Sequence, residues 1–391
     1  MTREPASSTA APRLSPLEIA TSEILDDALQ PATLPPASGV PARGVLEAAV
    51  LEALLRPPCV VAFSGGRDSS AVLAVATHVA RREGLPLPVP VTYSWPSLPE
   101  TDEAEWQELV VGHLALPDWC RLELDDELDL VGPLARGVLR RYGLMWPPAS
   151  HMEIPLVEQA KGGSVLTGEG GDEVFGAHRA QALVAVFGHG VRPPPRAVRK
   201  SLLALSPLSV RERVLAARLT PKYPWLRPKP SRQLGEARAA VGAREPIGRD
   251  AFLHWHRRPR RERDVWEWWG RTLAADYDVT YGEPLLEPQF LAALAAEGGW
   301  RGFADRTSAM QHLFGDLLPL PLVRRTSKVG YGSVYFNRHS RSFAKQWRGA
   351  GIDEEMVDAD GLHSVWTGTS PPPASWTLLQ SAWLEETGVD S

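Results

Sequence analysis

The segment Ser64-Gly65-Gly66-Arg67-Asp68-Ser69-Ser70 sets two adjacent glycines among three hydroxyls and one carboxylate. The apolar run Val60-Val61-Ala62-Phe63 before it reads as a buried strand, and Ala71 onward reads as an amphipathic helix to about Arg82. A turn between a strand and a helix gathers backbone N–H groups and the helix N-terminus on one spot, which suits an anion. Glycine lets phosphate oxygens approach the main chain with no side chain in the way. Asp68 is the odd member, because a carboxylate beside phosphate is repulsive unless a cation lies between them. The segment therefore predicts a pyrophosphate group together with Mg²⁺.

A second strand at 164–167 ends in Thr167-Gly168-Glu169-Gly170-Gly171-Asp172-Glu173. Gly168 and Gly170 again strip side chains from a strand end, and several carboxylates converge there. Asp68 and Asp172, at neighbouring strand ends, are placed to share one Mg²⁺ that also grips ATP phosphates. An ordinary glycine turn in the first segment, and a calcium-like or solvated acidic loop in the second, are the alternatives that carry no such chemistry.

Strands expected at 59–63, 89–94, 119–124 and 164–167 alternate with helices at 45–55, 68–82, 102–114, 128–142 and 152–161. This alternation predicts an α/β fold, a parallel sheet with helices on both faces, whose ligands bind beyond the carboxyl ends of the strands. Residues 1–42, rich in Pro, Ala, Ser and Thr, read as a mostly flexible arm carrying one helix that docks. The nucleotide-binding core is expected over 43–190, an Arg/Pro-rich insertion over 191–263, and a mainly helical part over 264–391 that completes the site. In the basic run Arg257–Arg263, local acidic partners are favoured over an anionic ligand. The cluster Trp266, Trp268 and Trp269 reads as core.

The chain has 391 residues and a net charge of −5, so no global field recruits nucleic acid or an anionic membrane. No apolar run is long enough to span a bilayer, and no secretory signal opens the chain. Cys59 and Cys120 make neither a disulfide framework nor a zinc site, and a cytoplasmic location fits them.

The first segment lacks the Gly-x4-Gly-Lys-Ser/Thr spacing of the kinase-type P-loop. It resembles the PP-loop of enzymes that split ATP into AMP and pyrophosphate. Together with Gly168-Glu169-Gly170-Gly171-Asp172-Glu173-Val174-Phe175-Gly176, it resembles the synthetase domain of the asparagine synthase family, which includes asparagine synthetases, β-lactam synthetases and lasso peptide cyclases. Asp102-Glu103, Pro284-Leu285-Leu286-Glu287, Leu318-Pro319 and Arg324-Arg325-Thr326-Ser327-Lys328 resemble further pieces of that domain, and the similarity runs from about residue 45 to 350. The resemblance implies adenylation of a carboxylate with ATP and Mg²⁺, release of pyrophosphate, and amide formation by an amine or ammonia. It implies pyrophosphate contacts from Ser64, Gly65, Gly66, Ser69 and Ser70, and Mg²⁺ ligation by Asp68 and Asp172. Lys328 matches the lysine that stabilises developing negative charge, and Glu169 matches the glutamate near the attacking nitrogen, where a general base is needed.

Three departures point to a specialised member. The chain opens Met1-Thr2-Arg3 without the catalytic cysteine of glutamine-dependent members, so free ammonia, a partner protein or a substrate amine is the expected nitrogen donor. Thr307 and Gln311 stand where the family has a lysine and an arginine, with Arg306 adjacent as a replacement. The spacing from Pro319 to Lys328 is slightly long. The expected activity is an amide synthetase of natural-product biosynthesis acting on a small-molecule or peptide carboxylate. A lasso-type macrocyclase acting on a precursor peptide is the alternative within the class. Outside it stand a PP-loop enzyme that modifies nucleotides or tRNA, against which the lack of paired cysteines argues, and a non-catalytic nucleotide-binding partner.

Overall fold

The structure is a computed structural model and describes residues 11–25, 33–176, 195–258 and 260–388. Five strands, β1 (Cys59–Ala62), β2 (Val89–Ser94), β3 (Cys120–Glu123), β4 (Ser164–Leu166) and β5 (Thr280–Gly282), form one sheet in the order β3-β2-β1-β4-β5. Every neighbouring pair is parallel. The central strands are short apolar runs because helices cover both faces. Cys59 and Val61 face the helices Ala42–Leu54 and Arg67–Glu83. Val60, Val91 and Val165 face the opposite layer, where Leu156, Val157 and Ala274 from helices Glu153–Gln159 and Arg261–Ala275 close over them.

From β1 the sheet grows outward through β2 and β3 on one side and through β4 and β5 on the other. Loops leaving the carboxyl ends of β1 and β4 therefore depart in opposite directions and open a crevice between them. The two glycine segments are these two loops, so the topology alone brings positions 64–70 and 167–173 together.

Two elements differ from expectation. β5 lies in a stretch read as helical; its three residues between a Trp-rich helix and Pro284 carry too short a pattern to mark a strand, and pairing with β4 makes them one. The helix expected from 128 starts at Pro133, because Leu128, Leu130 and Val131 are buried in a loop held by Asp129. That carboxylate accepts from the backbone N–H of Val131, Asn337 and Ser340.

A second core joins distant parts of the chain. The helix Pro16–Thr21 lies against the helix Trp376–Thr387, and Trp225 Nε1 donates to the Ala20 carbonyl at 2.9 Å. Trp269 and Trp366 are buried in the same cluster. In the basic run, Arg261 pairs with Glu18, Arg260 with Glu262 and Arg263 with Glu267. Helices Pro195–Leu205, Leu208–Leu219 and Pro228–Arg244 occupy most of the Arg/Pro-rich segment, whose expected border at 190/191 lies outside the described residues, as do residues 1–10 of the expected arm. Cys59 and Cys120 are free thiols. Among the described residues no helix is long and apolar enough to cross a membrane.

Candidate active site

The first loop is braced by its own hydroxyls. Ser69 Oγ donates to the Gly66 carbonyl at 3.2 Å and accepts from Ser64 N–H at 3.3 Å, while Ser64 Oγ accepts from Gly66 N–H at 3.3 Å. Gly65 has φ +81°, and a Cβ there would lie 2.9 Å from Gln107 Cγ, so both conformation and space call for glycine. Gly66 caps the helix Arg67–Glu83, whose first N–H groups and positive dipole end point at the crevice. Ser64, Gly66, Arg67, Asp68 and Ser69 line a cavity of ≈ 480 Å³. Gly65 and Ser70 lie behind that wall, and Ser70 is wholly buried with its hydroxyl unpartnered.

The second loop rests directly on the first. A Cβ at Gly168 would come within 2.5 Å of the Ser69 nitrogen, and one at Gly171 within 2.2 Å of Asp68 Cγ. Any side chain at either position would push the loops apart. Close approach brings the two aspartates onto one cation, since the Arg306 guanidinium bonds both Asp68 and Asp172. Lys328 Nζ adds a bond of 2.5 Å to the other Asp172 oxygen. Burial works to raise the Asp172 carboxyl, but the bonds from Lys328 and Arg306 outweigh it and hold the group below the usual range. At Asp68 burial wins over Arg306, and the carboxyl is raised. Arg306 is the first residue of the helix Arg306–Phe314; Thr307 and Gln311 lie off the cavity wall.

These two carboxylates suit Mg²⁺. Asp68 Oδ1 is buried and has no hydrogen-bond partner. Among the described residues no group of three or more His, Cys, Asp or Glu side chains is arranged to hold a metal. Mg²⁺ is commonly bound through one or two carboxylates, with substrate phosphates and water completing its shell, and a two-aspartate site fits that habit.

Lys328 belongs to a segment anchored by a residue to which sequence reasoning gave no role. Arg325 is buried, donates to the Gly65 carbonyl at 3.0 Å and to Ser327 Oγ at 3.0 Å, and forms an ion pair with Glu103 at 2.5 Å. Its guanidinium also lies over the Trp106 ring, 4.8 Å from the centroid. The resemblance of Arg324–Lys328 to a piece of the family's domain was the available signal; that Arg325 ties the segment bearing Lys328 to the first loop emerges only in three dimensions.

Glu169 projects into the cavity, where solvent reaches it, yet protein surrounds it on the cavity walls. Burial, followed by the negative charges of Glu283, Glu173, Asp68 and Asp172, lifts its carboxyl to about 7. Glu153, which the sequence did not single out, lines the same cavity. Burial and then the charges of Glu169 and Glu283 lift it to about 8. A group poised near neutrality in a cleft can take or hold a proton under working conditions. The cavity thus has a cation-rich, glycine-walled side fit for phosphates and a side where acids collect.

No match was found among curated proteins. The family model for asparagine synthase matches residues 42–313, about two thirds of the chain and both glycine loops with Arg306. ATP-dependent ligase activity accompanies that family. With its loops, parallel sheet and matching span in agreement, the chain belongs to the asparagine synthase family.

Proposed function

We propose that the protein is an amide synthetase that adenylates a substrate carboxylate, releases pyrophosphate and passes the acyl group to an amine. The observation that supports this best is the meeting of Asp68 and Asp172 on Arg306, across two loops whose backbones touch. A carboxylate oxygen of the acid attacks the α-phosphorus of ATP, and the bond to pyrophosphate breaks. The first loop and the N-terminus of the helix Arg67–Glu83 hold the departing pyrophosphate. Mg²⁺, held by Asp68 and Asp172, would supply charge neutralisation on the phosphates. Arg306 and Lys328, which pair with those carboxylates, are placed to turn to phosphate oxygens. In the second half the amine attacks the acyl carbon, the C–N bond forms, and the C–O bond to AMP breaks. Glu169 accepts the proton that the nitrogen must lose.

The acid is a small molecule or peptide of natural-product biosynthesis. The mechanism is tested by supplying an ¹⁸O-labelled carboxylate with ATP and Mg²⁺ and weighing the nucleotide product. Attack through the carboxylate leaves one ¹⁸O in AMP, with pyrophosphate released in equal amount. ADP and phosphate as products, or AMP without label, would reject the proposal.

A further inference from the structure

Between Gly66 and Asp68 in the first loop stands Arg67, a cation to which the family resemblance gives no role. It is the first residue of the helix Arg67–Glu83, as Arg306 is the first residue of the helix Arg306–Phe314, and both arginines line the cavity. The N-terminus of a helix is the positive end of its dipole and favours acidic side chains, so an arginine at each of these two starts runs against local preference. Departures of that kind gather where a ligand compensates for them.

For Arg306 the compensation is visible, since its guanidinium bonds Asp68 and Asp172. Lys328 shares Asp172, and Arg325 pairs with Glu103. Arg67 is half-buried and, among the described residues, has neither an ion pair nor a side-chain hydrogen bond. The charges around it are those of Arg306, Asp68, Asp172 and Arg325, and both of these carboxylates are already bonded to other cations. Its counter-charge is therefore expected from a guest. A further cation is repelled, and a neutral guest leaves the charge unanswered. A substrate carboxylate carries a single negative charge for a wall that presents Arg67, Arg306 and a helix N-terminus together. A polyphosphate answers all three, because several of its oxygens carry charge at once and guanidinium groups hold such oxygens in pairs. With the two aspartates committed to Mg²⁺, Arg306 is released beside Arg67 as a second cation for the same guest.

We infer that Arg67 is a pyrophosphate ligand that works with Arg306, the two guanidinium groups holding phosphate oxygens of ATP and then of the diphosphate that leaves. The pair stands in for the cations missing at Thr307 and Gln311, neither of which lines the cavity. That the guest is a leaving group rests on the synthetase reading; that it is a polyphosphate does not.

The test is binding, with no turnover required. Mg-pyrophosphate, Mg-ATP and AMP are titrated by calorimetry into the full chain and into Arg67→Gln. The substitution is expected to weaken Mg-pyrophosphate and Mg-ATP about tenfold, the worth of a charge-assisted hydrogen bond, and to leave AMP within about twofold. Without ligand, the melting temperature of Arg67→Gln is expected to equal or exceed that of the wild type, because a cation opposed by the dipole and by Arg306 is gone. Arg67→Leu is expected to behave alike and decides the matter if Arg67→Gln does not fold. A wild type that binds no Mg-pyrophosphate, or a folded variant that binds it undiminished, would overturn the assignment. So would a lowered melting temperature with all three ligands weakened equally, which marks a structural side chain. A chain that forms AMP and pyrophosphate but fails this test loses the Arg67 assignment alone; one that passes it but makes ADP and phosphate loses the synthetase reading alone.

Discussion

Arg325 and Glu103 form a 2.5 Å ion pair in which the residues are only 8% and 6% exposed, and Arg325 also holds the carbonyl of Gly65. One buried cation thus fastens the segment bearing Lys328 to the first loop. A buried pair gains little net stability over an apolar replacement, but breaking it leaves one charge stranded. Arg325→Met is therefore expected to destabilise the fold by about 3–5 kcal/mol. Glu103→Gln added to it recovers most of that loss, because no charge remains buried. Denaturant unfolding of the two single variants and the double variant checks this; independent, additive effects would contradict it. Turnover stays low in the double variant, since Lys328 has lost its anchor.

Lys328 offers the opposite case. Its side chain is 78% exposed, so Lys328→Ala leaves stability within about 0.5 kcal/mol of the wild type. A fixed cation aimed at developing charge is commonly worth roughly 10²–10³ in rate. Pyrophosphate release is expected to fall by about that factor with the KM for ATP little changed. An unaltered kcat would remove Lys328 from the chemistry.

Asp172→Asn is expected to raise the Mg²⁺ concentration needed for half-maximal activity by about tenfold, since one of two anionic ligands becomes neutral. Lys328 and Arg306 lose an acceptor at the same time, but both are partly exposed and regain water, so the melting temperature moves little. A metal titration that superimposes on the wild type would exclude Asp172 as a ligand.

Much of this arrangement is legible in the sequence because it is local. Strand 89–94 falls where its apolar run ends, and the helix 67–83 departs by one residue at each end from its expected bounds. Both loops are built of consecutive residues, so a short string of letters carries their chemistry. Arg306 was recognisable only as a neighbour of two unusual positions, and its place between Asp68 and Asp172 needed the helix orientation. Glu153 carries no local mark at all. A glutamate at a helix start is commonplace, and what sets it apart is that β2 and the chain after Lys328 bring four rings to it from more than fifty residues away on either side. β5 was missed for a like reason: three residues become a strand only because β4 offers them an edge.

The two raised carboxyls tie activity and stability to pH in opposite senses. In the folded chain Glu169 and Glu153 hold their protons up to about 7 and about 8, against 4.5 for an ordinary glutamate. Between those values the native state binds more protons than the unfolded chain, so stability falls as pH rises. Their contribution is full below about 4.5 and is lost as pH climbs through 7 and 8. Amide formation needs Glu169 ionised to accept a proton, so the rate climbs through the same range, with an acid limb near 7. The melting temperature is therefore expected to drop from pH 6 to about pH 8.5 while kcat/KM for the amine rises. Glu169→Gln removes the acid limb, lowers the plateau and flattens the stability curve in part; Glu153→Gln flattens the remainder. Thermal melts and pH–rate profiles on the same variants check both arms. A rate and a wild-type melting temperature that both stay flat across neutrality would show that these acids are already ionised in the folded protein and that burial does not govern them.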